Sequence, residues 1–234
     1  MGHALVGMIP EYIEKRITRP IPTDASVVPD STAVLSFGDA SKARIATLGL
    51  NPSRREFAPT PRLALSASSP AAVFGACNSY FLRKPYTQWF DRFNAILKAF
   101  DASYYDGSAC HLDLVQWATD PTWNRLEGSI KERLIEEDAP FLLNQLRENP
   151  GISLLLVNGG GAWKQLGKHL PVENAQVVGR ITGFSHHPAQ IYSGTLLKRV
   201  RVLAWSVNLQ SSVGVQKDLW EKELPGRLRA ITQF

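Results

Sequence analysis

From Arg44 onward, short apolar runs and longer segments with apolar residues at helical spacing take turns along the chain. The runs Arg44 to Leu50, Ala109 to Val115, Ile152 to Val157 and Val200 to Ala204 are short and nearly continuous, the pattern of strands covered on both faces. Between the first two, Trp89, Phe90, Phe93, Ile96, Leu97 and Phe100 recur at helical spacing, so Thr87 to Phe100 reads as a helix with most of its aromatics in the core. Further helices are expected from Glu132 to Glu148, from Ala162 to Leu170, and from Gln216 to Ile231 with a break at Pro225. This alternation predicts an α/β protein, a three-layer α/β/α sandwich built on a central, mainly parallel four-stranded sheet.

Two stretches fall outside the pattern. Residues 1–40 carry Pro20, Pro22 and Pro29 among polar residues and are expected to wrap the surface after a short helix near Glu11 to Arg16. The connection from Arg54 to Ser79, rich in Ser, Ala and Pro, is too irregular for a core element and too long for an ordinary loop, which marks it as functional. At 234 residues and 44% hydrophobic content, the chain can bury its core as a single domain. A net charge of +5 and a pI near 9.3 suit a polyanionic partner. Cys77 and Cys110 are too few for a disulfide framework or a four-cysteine metal site. Neither a secretory leader nor a membrane span is read, so a cytoplasmic monomer without membrane contact is expected.

Candidate chemistry gathers at the strand ends. The first strand runs into Gly49-Leu50-Asn51-Pro52-Ser53, followed by Arg54 and Arg55. Gly49 is expected to let the backbone bend and Pro52 to fix φ, holding Asn51 at the strand's carboxyl end, where open parallel sheets keep their ligands. The second strand presents Asp113, the third a Gly159-Gly160-Gly161 turn, and the fourth a loop containing Asn208. The triple glycine lacks the Lys-Ser/Thr ending of a P-loop and the spacing of a dinucleotide fingerprint, which weighs against mononucleotide binding.

This arrangement resembles the uracil-DNA glycosylase superfamily, whose first motif, Gly-x-(Asn/Asp)-Pro, stands here as Gly49-Leu50-Asn51-Pro52. His111-Leu112-Asp113-Leu114 takes the place of an apolar run ending in Asn, and Leu154 to Gly159 fits the third strand and its small-residue turn. The last motif falls on Trp205 to Ser212, although it lacks the family's proline; Ser185 to Tyr192, with the pair His187-Pro188, is a competing placement. The resemblance implies a monofunctional glycosylase that flips a base from DNA and hydrolyses its N-glycosidic bond, with no metal, cofactor or Schiff-base lysine. Asn51 would orient a water through its carbonyl oxygen, while Asn208, or alternatively His187, would donate to the departing base. Arg54 and Arg55 would meet the DNA, Ser211 and Ser212 would hold phosphates, and Leu209 and Gln210 would wedge into the stack. Phe81, with Tyr80 as second choice, would be the stacking floor.

Two departures from the uracil-specific pattern bear on the substrate. Ser53 stands where that branch has a tyrosine, which opens the wall facing position 5 of a pyrimidine. Asp113 replaces an Asn that donates to a uracil carbonyl; a carboxylate instead accepts from the exocyclic amine of cytosine. Together they imply a cytosine substituted at position 5, hydroxymethylated or glucosylated, as in foreign DNA. A uracil or mismatch repair glycosylase, a DNA-binding protein without chemistry, and a small-molecule nucleotide hydrolase are the alternatives.

Overall fold

A computed structural model describes residues 9–83, 85–183, 187–210 and 215–232. The chain forms an α/β fold around one six-stranded sheet: α1 (Glu11–Ile17), β1 (Ile45–Gly49), α2 (Pro70–Asn78), α3 (Thr87–Leu97), β2 (Ala109–Asp113), α4 (Gly128–Glu148), β3 (Leu154–Asn158), α5 (Gly160–His169), β4 (Glu173–Ile181), β5 (Ala189–Leu196), β6 (Val200–Trp205) and α6 (Leu224–Thr232). Sheet order is β2-β1-β3-β6-β5-β4. The four strands expected from the sequence form its parallel part, and β5 and β4 add an antiparallel hairpin beyond β6. The sheet is therefore mixed and six-stranded, where a mainly parallel four-stranded one was expected. The reason lies in β4, whose Glu173–Ile181 side chains are mostly exposed and give no hydrophobic alternation to read.

Alternation along each buried strand sends neighbours to opposite faces. Ala46, Leu48, Cys110, Leu112, Leu155 and Val157 pack with Leu134, Leu142 and Leu146 of α4 and Leu166 of α5. Ile45, Ala109, Leu154, Leu156, Leu203 and Trp205 face the other way, against Phe90, Phe93 and Ile96 of α3 and Leu224 and Leu228 of α6. The end of the chain is helical from Lys217 to Thr232 without the expected break: a π-helical stretch, Leu219–Glu223, runs directly into α6, and Pro225, which has no N–H to give, stands just after the widened turn.

Two expectations need correcting. Residues 31–38 do not wrap the surface; they are buried, and Phe37 pairs with His111 through reciprocal backbone hydrogen bonds of 2.8 and 2.9 Å along the outer edge of β2. The long connection after β1 does hold a core element, because Ser69 caps α2 by accepting from Ala72 N, Pro70 starts it, and Val73, Ala76 and Cys77 are buried.

A buried ion pair ties α1 to α4. The Arg16 guanidinium donates to Asp138 Oδ1 at 2.8 Å and lies over the Trp117 ring, while Asp138 Oδ2 accepts from Gln116 N at 2.8 Å. Burial raises the Asp138 carboxyl pKa despite the opposing pull of Arg16. Replacing one member of such a pair strands its partner, so Asp138→Ala is expected to lower the unfolding free energy by about 3–5 kcal/mol in a urea titration.

Candidate functional site

At the carboxyl ends of β1, β2 and β3 the structure opens a cavity of about 310 Å³, within the range of small-ligand sites. Its lining comes from the turn after β1, the end of β2, residues 119–124, Asn158 of β3, Asn208 after β6, and aromatic side chains of residues 37 and 86–90.

The register explains the glycine. Gly49 is paired with Asp113 across the parallel ladder, and a Cβ on Gly49 would lie 2.6 Å from Asp113 Oδ1 and 3.1 Å from His111 Nε2. Gly49 does not have positive φ, so the expected bend is not its role; its missing side chain makes room for a carboxylate. His111 and Asp113 are two apart on one strand and share a face. His111 Nε2 faces Asp113 Oδ1 at 3.4 Å, and Nδ1 lies 2.7 Å from Thr47 Oγ1, itself 2.5 Å from the Tyr104 hydroxyl. Trp89 and Phe90 enclose the imidazole with ring centroids 4.9 and 5.4 Å away. His111 is thus the inner end of a buried polar chain that supports Asp113.

Asn51 is held by its amide. Nδ2 donates to Trp117 O and to Thr119 Oγ1, both at 3.2 Å, so both amide hydrogens are bonded and the carbonyl oxygen is what Asn51 can offer to a ligand. Asn158 fastens the opposite side. Its Oδ1 accepts from Trp205 Nε1 and Leu209 N, while Nδ2 donates to Gln210 Oε1 at 2.6 Å and to Asn208 Oδ1 at 3.4 Å. Gly159 sits at φ +91° beneath this loop, and a Cβ there would come within 3.2 Å of Asn208 Cβ. The glycine turn is therefore filled by the Asn208 loop and leaves no open phosphate cradle.

Of the residues expected in the site, Asn51, Asp113, Asn208, Ser53 and Arg54 line the cavity. Ser53 accepts from Arg55 N and caps a 3₁₀ turn, Arg54–Glu56. Arg54 pairs with Asp120 at 2.8 Å on the rim, and Arg55 donates to the Tyr86 hydroxyl at 2.6 Å. His187 is exposed and outside the lining, yet Pro188 O accepts from Ser206 Oγ at 3.4 Å, so its segment flanks the Asn208 loop. Four expectations are corrected by packing. Phe81 is in the core, stacked on Tyr104 with centroids 4.5 Å apart; Tyr80 is buried too, so the aromatic rings lining the cavity are instead Phe37, Tyr86, Trp89, Phe90 and Trp123. Leu209 is fully buried and Gln210 is tied to Asn158 and Trp89 O, so neither is a free wedge. Ser211 and Ser212 lie outside the described residues.

Glu56 was missed. It follows Ser53 in a Ser-x-x-Glu pattern that reads as a helix cap, but the side chain turns inward and is 2% exposed. Tyr80 donates to its Oε2 at 2.9 Å; no partner is present for Oε1 among the described residues. Burial pushes the Glu56 carboxyl up to about 7, assisted by the nearby Asp113 charge and opposed by Tyr80 and Arg62. No group of three or more His, Cys, Asp or Glu among the described residues is placed to hold a metal ion, and no helix among them is long and apolar enough to cross a membrane. Comparison with protein-family models and with curated proteins finds no match to this chain.

The raised carboxyl has a thermodynamic signature. Between its ordinary 4.5 and about 7, folded Glu56 keeps a proton that the unfolded chain has released, so its contribution to stability is full below pH 4.5 and lost as pH rises through 7. Relative to Glu56→Gln, which cannot ionise, the wild-type protein should lose on the order of 3 kcal/mol across that window. Urea unfolding of both proteins at several pH values measures the difference; an unchanging gap would mean that Glu56 titrates as an ordinary surface carboxyl.

Proposed function

We propose that the protein is a monofunctional DNA glycosylase of the uracil-DNA glycosylase type, acting on a flipped cytosine substituted at position 5, as found in foreign DNA. The observation that carries this reading is the convergence of Asn51, Asp113 and Asn208, from three separate strand ends, on one cavity walled by aromatic rings. A flat, hydrogen-bonding base suits such a pocket, since rings contribute stacking of about 1–3 kcal/mol per base while a few fixed polar groups read its edge.

In the reaction, the bond between the sugar C1′ and the base nitrogen breaks, its electron pair leaves with the base, and a water oxygen bonds to C1′. The Asn51 oxygen, aimed by its bonded amide, positions that water on the electron-poor sugar. Asn208 donates to the base as negative charge builds on it. Asp113, braced by His111, accepts from the exocyclic amine of cytosine and disfavours uracil, whose carbonyl would face an acceptor. Ser53 leaves position 5 open, and the exposed Arg54 and Arg55 beside the mouth supply positive charge for the DNA backbone.

Mass spectrometry of bases released from DNA containing uracil, thymine mismatches, cytosine, hydroxymethylcytosine or glucosylated hydroxymethylcytosine tests the proposal. Release of a modified cytosine is expected, with abasic DNA as the other product. Asn51→Ala should slow release at least 10²-fold while the fold stays intact by circular dichroism. Asp113→Asn should move preference toward uracil. DNA binding without release of any base would end the catalytic reading, and trapping of an adduct with borohydride would replace hydrolysis by lyase chemistry.

A further inference from the structure

Asp113 and Glu56 are the two acidic side chains lining the cavity, and both are almost wholly buried, 4% and 2% exposed. A carboxyl shut away from water needs hydrogen-bond donors. His111 faces Asp113 Oδ1, and Tyr80 serves Glu56 Oε2, itself also accepting from Tyr86 N at 2.9 Å so that the phenol is fixed in place. Once the carboxyl is ionised, Glu56 Oε1 is the acceptor without a partner among the described residues; it is not one of their fully enclosed orphan atoms, and its side chain lines the aromatic pocket, so it is open to a ligand there.

The position of Glu56 says what should meet it. It belongs to the same 3₁₀ turn as Ser53, so the wall opposite position 5 of the base continues from Ser53 into Glu56. Asp113 approaches from β2. On a cytosine ring the amine at position 4 and the substituent at position 5 are neighbours, so a base whose amine reaches Asp113 brings its substituent toward the 53–56 turn. A methyl group there would offer Oε1 no donor, whereas a hydroxyl would supply one.

We infer that Glu56 is a specificity-determining residue that accepts a hydrogen bond from a hydroxyl on the substituent at position 5, so that the pocket selects hydroxyl-bearing cytosines over 5-methylcytosine. This rests on the proposed reading of the site as a base-excision pocket. The hydroxyl belongs either to a hydroxymethyl group or to a sugar attached through it, and both are donors of one chemical kind. Sites that pair a buried polar group with a substrate hydroxyl reject the analogue lacking it far more strongly than size alone allows.

The test uses the full-length protein and oligonucleotides carrying one 5-methylcytosine, 5-hydroxymethylcytosine or glucosylated hydroxymethylcytosine, with base release followed by mass spectrometry. Binding of free 5-methylcytosine and 5-hydroxymethylcytosine is measured in parallel by calorimetry. Wild-type protein should prefer a hydroxyl-bearing base over the methylated one by at least tenfold in release and in binding, and comparison of the two hydroxyl-bearing substrates tells which source of the hydroxyl is used. Glu56→Met, which keeps length and removes the acceptor, should bring that ratio close to one. Equal handling of methyl and hydroxymethyl bases by the wild-type protein would overturn the inference while the glycosylase reading stands, and it does so whether or not the variant folds. Discrimination in binding that is lost in Glu56→Met, with no base released, would uphold the role of Glu56 and end the glycosylase reading, whereas a folded Glu56→Met that still discriminates would overturn the inference. Neither release nor binding of any base would overturn both.

Discussion

The site depends on one close approach between neighbouring strands. Parallel register sets Gly49 opposite Asp113, and the carboxylate occupies the volume that any side chain at position 49 would need. Everything else follows from that seat. His111 lies on the same face two residues earlier, Thr47 stands opposite it on β1, and Tyr104 closes the buried chain from outside the sheet. A slip of one residue in this ladder would turn Thr47, His111 and Asp113 into the α4 side of the core, so the packing that fixes the strands also fixes the polar chain.

Strands buried on both faces announced themselves, since Leu154 to Val157 and Ala109 to Leu112 have no other sensible place than the sheet centre. The Gly-x-Asn-Pro turn was equally legible, because turn chemistry is local. What escaped the sequence was whatever depends on contacts distant along the chain. Nothing local distinguishes Phe81 as a core ring from Trp89 as a cavity ring; the stack on Tyr104 decides it. Leu209 looks like an exposed wedge until the Asn158 hydrogen bond to its backbone pulls it inward. Glu56 resembled a cap because a Ser-x-x-Glu pattern ordinarily is one, and only the Tyr80 hydroxyl, 24 residues on, turns it into the cavity. The hairpin was missed because an edge strand exposed along most of its length carries no periodic signal.

The basic residues divide the same way. Arg199 and Arg201 sit at the amino end of the parallel strands, where Arg199 donates to Leu146 O near the end of α4 and to Ile152 O in the loop before β3, and Arg201 to Ile231 O of α6. They are structural clamps. Arg54, Arg55 and Arg62 cluster instead around Tyr86 and the cavity mouth, with Arg62 donating to Arg55 O at 2.6 Å. These three cations stand together beside the cavity, with Arg54 also paired to Asp120.

The ion pair between Arg16 and Asp138 has a reach beyond its own stability. Asp138 rides on α4, across the sheet from the cavity, and holds Gln116 N; the next residues, Trp117 and Thr119, supply the two acceptors that orient the Asn51 amide. The aim of that amide is thus set by a tether anchored on the far side of the molecule. Anything that loosens α1 from α4 slackens the line, and the cavity would lose its alignment with every lining residue still in place.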